Sequence, residues 1–299
     1  MPRPLRTALL RVASALVAVA CLPGCANGPP GGEARLALVI GNAAYVNAPA
    51  LNNPANDAAD MCAALKRLHF QALCYTNLRD RAETDAAVRA YVDQLTPSTV
   101  GVVFYSGHGV EVNGANFLIP TEVQPRAVSE NPLRVLYGLD DLFDRMRQRP
   151  ASYQLVILDA CRTELFVQTP SQAGMPAPKP GAKSMLVRSL ETLPKVGNGL
   201  APITDAPPHT SVLYATASRE AAYDGRGRNG PLTKQVLENI ETRDQPLSTF
   251  LQRVTEGVES ETRAVYKRPM TPFVYGSLTD KFCFAGCFRI MRKDVAPSQ

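Results

Sequence analysis

The chain of 299 residues has three histidines and seven cysteines, and one of each is set where a thiol and an imidazole could work together. His108 lies in Ser106-Gly107-His108-Gly109, at the end of the apolar run Val100 to Tyr105. Cys161 lies in Asp159-Ala160-Cys161-Arg162, at the end of a second run, Tyr153 to Leu158. A thiol becomes a strong nucleophile when an adjacent base favours the thiolate, and imidazole titrates in the right range to be that base. The other histidines fit less well. His69 sits at a helix-to-strand junction and reads as a surface or capping residue; His209 follows Pro207-Pro208 with no flanking motif. Glycines on both sides of His108 let a substrate backbone approach closely. The backbone N–H groups of Gly109 and Cys161 are the candidate oxyanion hole, a device worth about 3 kcal/mol per donor in typical enzymes. A Gly-His-Gly loop alone is common, and a cysteine in an apolar strand usually packs. Their matching positions at two strand ends point to a dyad.

Those two strands must be brought side by side, and the surrounding pattern says how. Leu36 to Ile40 is a continuous apolar run ending in Gly41-Asn42, as in a strand buried on both faces. Ala59, Met61, Cys62, Leu65 and Leu68 form the inner stripe of a helix from about Asn56 to Leu68. Phe70 to Tyr75 reads as a second strand and Arg81 to Leu95 as a second helix. Val100 to Tyr105 is the third strand, stopping at Ser106. Val110–Val112 and Asn116–Ile119, joined by Asn113-Gly114, read as a hairpin with a tight turn. Leu139 to Arg147 is a third helix, and Tyr153 to Leu158 the fourth central strand. Alternating strands and helices imply an α/β three-layer sandwich: a mostly parallel sheet of about six strands with helices on both faces. Functional groups in such sheets gather beyond the carboxyl ends of the strands.

Composition changes at Glu164. From there to His209 the chain is rich in Pro, Gly, Ser and Lys, without sustained periodicity, and reads as an irregular linker. Order returns with a strand at Ser211–Thr216, helices at Leu232–Glu241 and Leu247–Thr262, and a last strand at Pro272–Leu278. No repeat or heptad is visible. The expected division is 1–24 signal segment, 25–34 tether, 35–288 one domain containing the linker at 164–209, and 289–299 tail.

The N-terminus reads as an export signal. Met1 to Arg11 has three arginines and no acid, Val12 to Ala20 is apolar or small, and small residues follow. Leu22-Pro23-Gly24-Cys25 resembles a bacterial lipobox, in which Cys25 becomes the lipidated first residue; Ala18-Val19-Ala20-Cys21 is a poorer match, and secretion without lipid is the alternative. The expected location is therefore the periplasm or a bacterial membrane surface, reached through a lipid anchor. Without Arg3, Arg6 and Arg11, 29 basic residues face 27 acidic ones. That balance gives no reason to invoke nucleic acid. In an oxidising compartment Cys62–Cys74 and Cys283–Cys287 would pair, leaving Cys161 alone; small buried thiols are the alternative, most evenly balanced for Cys62 and Cys74. Ligand spacing supports no metal site, and no cofactor is required. The acids Asp140, Asp141 and Asp144 suit a solvated helix face better than a calcium site.

Four blocks in order resemble one family. Tyr105-Ser106-Gly107-His108-Gly109 with Asn116-Phe117-Leu118-Ile119-Pro120 is similar to the histidine block of caspase-like peptidases, and Leu158-Asp159-Ala160-Cys161-Arg162 to their cysteine block. Leu38 to Asn42, with Leu51-Asn52-Asn53 and Asn56-Asp57-Ala58, resembles their opening strand and helix. Leu213 to Ala217, Asp224-Gly225 and Gly230-Pro231-Leu232-Thr233 resemble the small-subunit portion. Asp159 stands where animal caspases have Gln, so the chain looks closer to the bacterial metacaspases (orthocaspases); Thr163 departs from the His or Ser frequent there. The resemblance implies a central six-stranded sheet, a cysteine endopeptidase acting on proteins or peptides, and a pocket for Arg or Lys lined by Asp57, Asp159 and Ser106. A carboxylate pair in a partly buried site favours a basic guest, although Asp57 also suits an acid in the first turn of a helix. Arg162 admits an acidic guest instead. If the pocket takes basic residues, Lys179, Lys183, Arg188 and Lys195 are candidate self-cleavage sites; a solvated loop is the alternative. Two other readings stay open: a non-catalytic envelope scaffold of the same fold, and a thiol amidase acting on cell-wall peptides. The amidase would not depend on Asp57 or Asp159. Some members of the family respond to calcium. Nothing in the sequence specifies an oligomeric state.

Overall fold

Residues Ala34–Gly41 form β1, and seven of its eight residues are buried, as the unbroken apolar run requires. The computed structural model describes residues 33–162, 196–197, 200–201, 203, 205–216, 225, 227–278 and 282–287, with the backbone alone at Ser129, Cys161, Arg162, Val196 and Gly197. The signal segment with Cys21 and Cys25, the tether as far as residue 32, Thr163, the linker residues Lys179, Lys183, Arg188 and Lys195, Asp224 and the tail lie outside the described residues.

After β1 come α1 (Pro54–Arg67), β2 (Gln71–Thr76), α2 (Arg81–Val92), β3 (Thr99–Val112) and β4 (Ala115–Leu118). Then follow α3 (Pro125–Glu130), α4 (Pro132–Val135), β5 (Tyr137–Gly138), α5 (Leu139–Gln148), β6 (Tyr153–Arg162) and β7 (Val196–Gly197). The described elements close with β8 (Thr210–Tyr214), α6 (Pro231–Asn239), α7 (Leu247–Tyr266) and β9 (Phe273–Gly276). The main sheet runs β2-β1-β3-β6-β8-β9, parallel except for β9, which is antiparallel to β8. This is the three-layer α/β sandwich with a mostly parallel sheet expected from the sequence.

Alternation along each strand sends side chains to two faces. Ala37 and Val39 join Met61, Leu65, Val236, Phe250 and Val254 under α1, α6 and α7. Leu36, Leu38 and Ile40 join Val88, Tyr91, Leu142 and Phe143 under α2 and α5. Burying each large apolar side chain in these layers contributes about 1.5–3 kcal/mol. Among the described residues, disulfides join Cys62 of α1 to Cys74 of β2, and Cys283 to Cys287.

Two expectations need correction. The third and fourth central strands do not stop at Ser106 and Leu158: β3 continues through Ser106–Gly109 into Val110–Val112, and β6 continues to Arg162. Glycine weakens a strand in isolation. Here β6 pairs with β3 from Val100 to Gly109, and β4 pairs with it from Gly109 onward, so ladders on both sides override local propensity. His108 therefore lies inside a strand, not in a loop. Asn113 and Gly114 make the tight turn to β4, both with positive φ (53° and 88°). The linker is also not wholly irregular: Val196–Gly197 pairs with Val112 and Glu111 of β3.

Candidate active site

Four consecutive residues of β3 pair with four of β6: Ser106 with Asp159, Gly107 with Ala160, His108 with Cys161, and Gly109 with Arg162. The histidine and cysteine expected to form the dyad are thus direct cross-strand neighbours, about 4.8 Å apart along the backbone by the spacing of a sheet ladder. The other two histidines, His69 and His209, are exposed and adopt left-handed backbone conformations.

His108 is 2% exposed. Its Nε2 lies 2.9 Å from the Pro49 carbonyl oxygen. A carbonyl only accepts, so Nε2 carries the proton and the lone pair of the neutral ring is on Nδ1. Burial holds the imidazole pKa below its ordinary 6.5, with the Pro49 carbonyl acting weakly the other way. The ring is therefore a neutral base at neutral pH, as thiol activation needs.

The expected oxyanion donors lie on the two central strands. The His108 carbonyl accepts from Ile119 N–H at 3.1 Å. Alternation along the antiparallel ladder then turns the Gly109 N–H away from β4 and toward β6. Leu200, from the segment after β7, packs where a Gly109 side chain would begin, 3.2 Å from an added Cβ.

Four segments meet at the acid pair: α1, β3, β6 and residues 229–233. Asp57, in the first turn of α1, is 1% exposed, and Asp159 of β6 is 4% exposed. Asp57 Oδ2 accepts from Ser106 Oγ at 2.9 Å; its Oδ1 accepts from Asn229 Nδ2 and Gly230 N–H, both at 3.1 Å. Asp159 Oδ2 accepts from Thr233 N–H at 3.2 Å and Thr233 Oγ1 at 2.6 Å. Burial first, and the neighbouring Asp159 second, push the Asp57 carboxyl up to about 7 against these hydrogen bonds. An acid in an exposed first turn would not behave so. Asp57, Ser106 and Asp159, named from the sequence, therefore stand together beside the dyad strands.

Five participants have no site role assigned from the sequence, although Thr233 stands in the block Gly230-Pro231-Leu232-Thr233. Pro49 acts through its carbonyl, which any residue supplies. Tyr45 packs on His108, with ring centroids 4.3 Å apart. Asn229 and Thr233 act through tertiary contacts. Asp60 was legible in principle, because it follows Asp57 by three residues on one helix face. It accepts from Arg228 Nε at 2.8 Å and Nη2 at 2.9 Å, and from Asn229 Nδ2 at 2.9 Å, so one loop spans both acids of α1. On α5, Asp141 pairs with Arg81 at 2.7 Å and Asp144 with Arg147 at 2.5 Å. Among the described residues, no three His, Cys, Asp or Glu side chains are grouped to hold a metal ion.

A family model described as the caspase domain, peptidase family C14, matches residues 34–283. The chain is similar to the mucosa-associated lymphoid tissue lymphoma translocation protein 1 homolog of Mus musculus, 29% identical over 136 residues, which are 46% of this chain and 16% of that protein. The Homo sapiens protein of the same name is 29% identical over 128 residues, 43% of this chain and 15% of its own length. The match thus spans about a sixth of the curated relatives.

Proposed function

The chain belongs to the caspase-domain family of cysteine peptidases, and from that premise we propose that it is an endopeptidase cutting after Arg or Lys, with Cys161 as nucleophile and His108 as base. The observation that carries this reading is the register pairing of His108 with Cys161. The Cys161 thiol gives its proton to His108 Nδ1, and the thiolate adds to the carbonyl carbon of the scissile bond. The oxyanion takes hydrogen bonds from the Gly109 and Cys161 N–H groups. As the C–N bond breaks, the imidazolium protonates the leaving amine, and a thioester remains. Water, deprotonated by His108, then releases the carboxylic acid and the thiol.

A basic guest is supported by the buried pair Asp57 and Asp159 with Ser106. A guanidinium or ammonium brought between two carboxylates would be held by charge-assisted hydrogen bonds. Self-processing in the 164–209 linker fits the fixing of its later part on β3: β7 pairs there, and Asn116 exchanges two hydrogen bonds with Ala201 at 2.8 and 2.6 Å. Export and lipidation at Cys25 complete the proposal. They rest on Leu22-Pro23-Gly24-Cys25 and suit a fold holding two disulfides.

The test compares the protein lacking residues 1–25 with its Cys161→Ala variant under mild reduction. Fluorogenic peptides ending in Arg, Lys or Asp are offered, with and without calcium. Cleavage after Arg or Lys by the parent alone supports the proposal. Cleavage after Asp overturns the pocket assignment. A folded protein that cuts nothing and keeps its linker intact overturns the peptidase reading and favours a scaffold.

A further inference from the structure

We propose that Tyr45 is a positioning residue for His108, fixing the imidazole through its backbone and its ring together; the inference rests on the proposed dyad. The Tyr45 hydroxyl oxygen accepts the His108 backbone N–H at 2.7 Å, and the same hydroxyl donates to the Ile119 carbonyl at 3.2 Å. Tyr105 grips the other side of the same residue, donating to the His108 carbonyl at 2.7 Å. The two phenol oxygens are 3.4 Å apart, and Gly107 passes beneath them: a Cβ there would lie 2.8 Å from each. The Tyr45 ring is tilted 43° against the imidazole.

Tyr45 is itself held. It is 7% exposed and packs with Val110, Phe117, Ile119 and Leu136. Its segment is pinned at both ends: Ala43 and Ala44 donate to Asn77 Oδ1 at 2.9 Å, Val46 donates to the Thr121 carbonyl at 2.9 Å, and Leu51 to the Ala43 carbonyl at 3.0 Å. The same segment carries Pro49, whose carbonyl fixes Nε2. One loop thus sets the backbone, the ring plane and the tautomer of the base. A hydroxyl that satisfies a buried N–H inside a strand, where the neighbouring Gly107 has no side chain to pack, substitutes for local rigidity.

The test uses Tyr45→Phe, which keeps the ring, and Tyr45→Leu, which removes it. For the cleaved peptide, kcat should fall about 10-fold in the first and about 100-fold in the second, with KM within about twofold, because misplacing a base by about 1 Å has that effect. An independent readout is the pH profile of Cys161 alkylation by iodoacetamide. In the parent the half-rise lies below the ordinary thiol value of about 8.5 and depends on His108; in Tyr45→Phe it moves up toward that value. This readout decides the matter even if no peptide is cut. Unchanged kcat and an unchanged alkylation profile in both folded variants overturn the inference. Losses that follow only the unfolded fraction, measured by circular dichroism, overturn it as well. A parent profile indifferent to His108→Ala overturns the inference and the dyad together.

Discussion

Asp57 and Asp159 converge on Gly230. A Cβ placed on that glycine would lie 3.1 Å from Asp159 Oδ2 and 3.6 Å from Asp57 Oδ2. Two carboxylates, one from a helix and one from a central strand, therefore face a third segment that is bare backbone at Gly230 and brings the Asn229 amide and the Thr233 hydroxyl beside it. Their surroundings differ. Asp159 Oδ2 receives the Thr233 N–H in the first turn of α6, where the partial positive charge of the helix end favours an anion. Asp57 is buried beside that anion and is pushed up to about 7.

The first prediction concerns pH. Asp57 takes on its charge, beside Asp159, as pH rises through about 7. Binding of an Arg or Lys guest should strengthen as pH rises through about 7, so kcat/KM for basic peptides should climb there. Stability runs the other way. A carboxyl whose folded pKa is raised stabilises the fold most below its unfolded range, and that contribution is lost as pH rises through about 7. Asp57→Asn should abolish the step in kcat/KM and flatten the fall in melting temperature between about pH 4 and about pH 7. A variant that keeps either step would refute the assignment to Asp57.

Thr233 gives Asp159 two hydrogen bonds. Thr233→Val preserves shape, removes the hydroxyl donor and leaves a buried carboxylate short of one partner. The expected loss is about 1–3 kcal/mol in urea unfolding. KM for an Arg peptide should rise while the alkylation profile of Cys161 stays put. Equal kinetic effects on Arg and on neutral peptides would mean that Thr233 serves the fold alone.

Gly107 and Gly114 make a controlled pair. Alanine at 107 would place Cβ 2.8 Å from the hydroxyls of Tyr45 and Tyr105, whereas at 114 nothing lies within 4 Å. Gly107→Ala must therefore push aside the grip on His108, and kcat should fall about 100-fold. Gly114→Ala carries only the strain of its positive φ, about 1 kcal/mol in stability, with activity unchanged. Both are read by kinetics and thermal melting; similar activity in the two variants would contradict the packing argument.

The long periodic segments were legible because burial on both faces leaves apolar runs and amphipathic helices leave stripes. His108, Cys161, Asp57, Ser106 and Asp159 stand out in the sequence because glycine frames, strand ends and family blocks mark them. Strand ends were misread at Ser106 and Leu158, since only tertiary pairing carries β3 and β6 onward. The short pieces α3, α4, β5 and β7 hold too few residues to show a period, although Pro125 and Pro132 at helix starts were usable signals. Tyr45 and Pro49 were invisible because their roles rest on an oxygen atom placed by folding.

The last prediction joins redox state to stability. Cys62 on α1 is bonded to Cys74 on β2, twelve residues on. Among the described residues β2 is the terminal strand of the main sheet, paired only with β1, so the bond fastens an edge strand to the helix that carries Asp57 and Asp60. Closing a loop of this length restricts the unfolded chain by about 3 kcal/mol. Cys161, by contrast, must be a free thiol to serve as the proposed nucleophile. A reductant strong enough to open Cys62–Cys74 should therefore lower the urea midpoint of the parent while leaving Cys161 competent. The Cys62→Ala/Cys74→Ala variant should start about 2–3 kcal/mol less stable, with a midpoint that ignores the reductant apart from any effect of Cys283–Cys287. At 25 °C and without urea its kcat should stay within about twofold of the parent, because the dyad strands β3 and β6 lie inside the sheet. Equal midpoints for parent and variant under oxidising conditions would show that the bond contributes nothing to the fold.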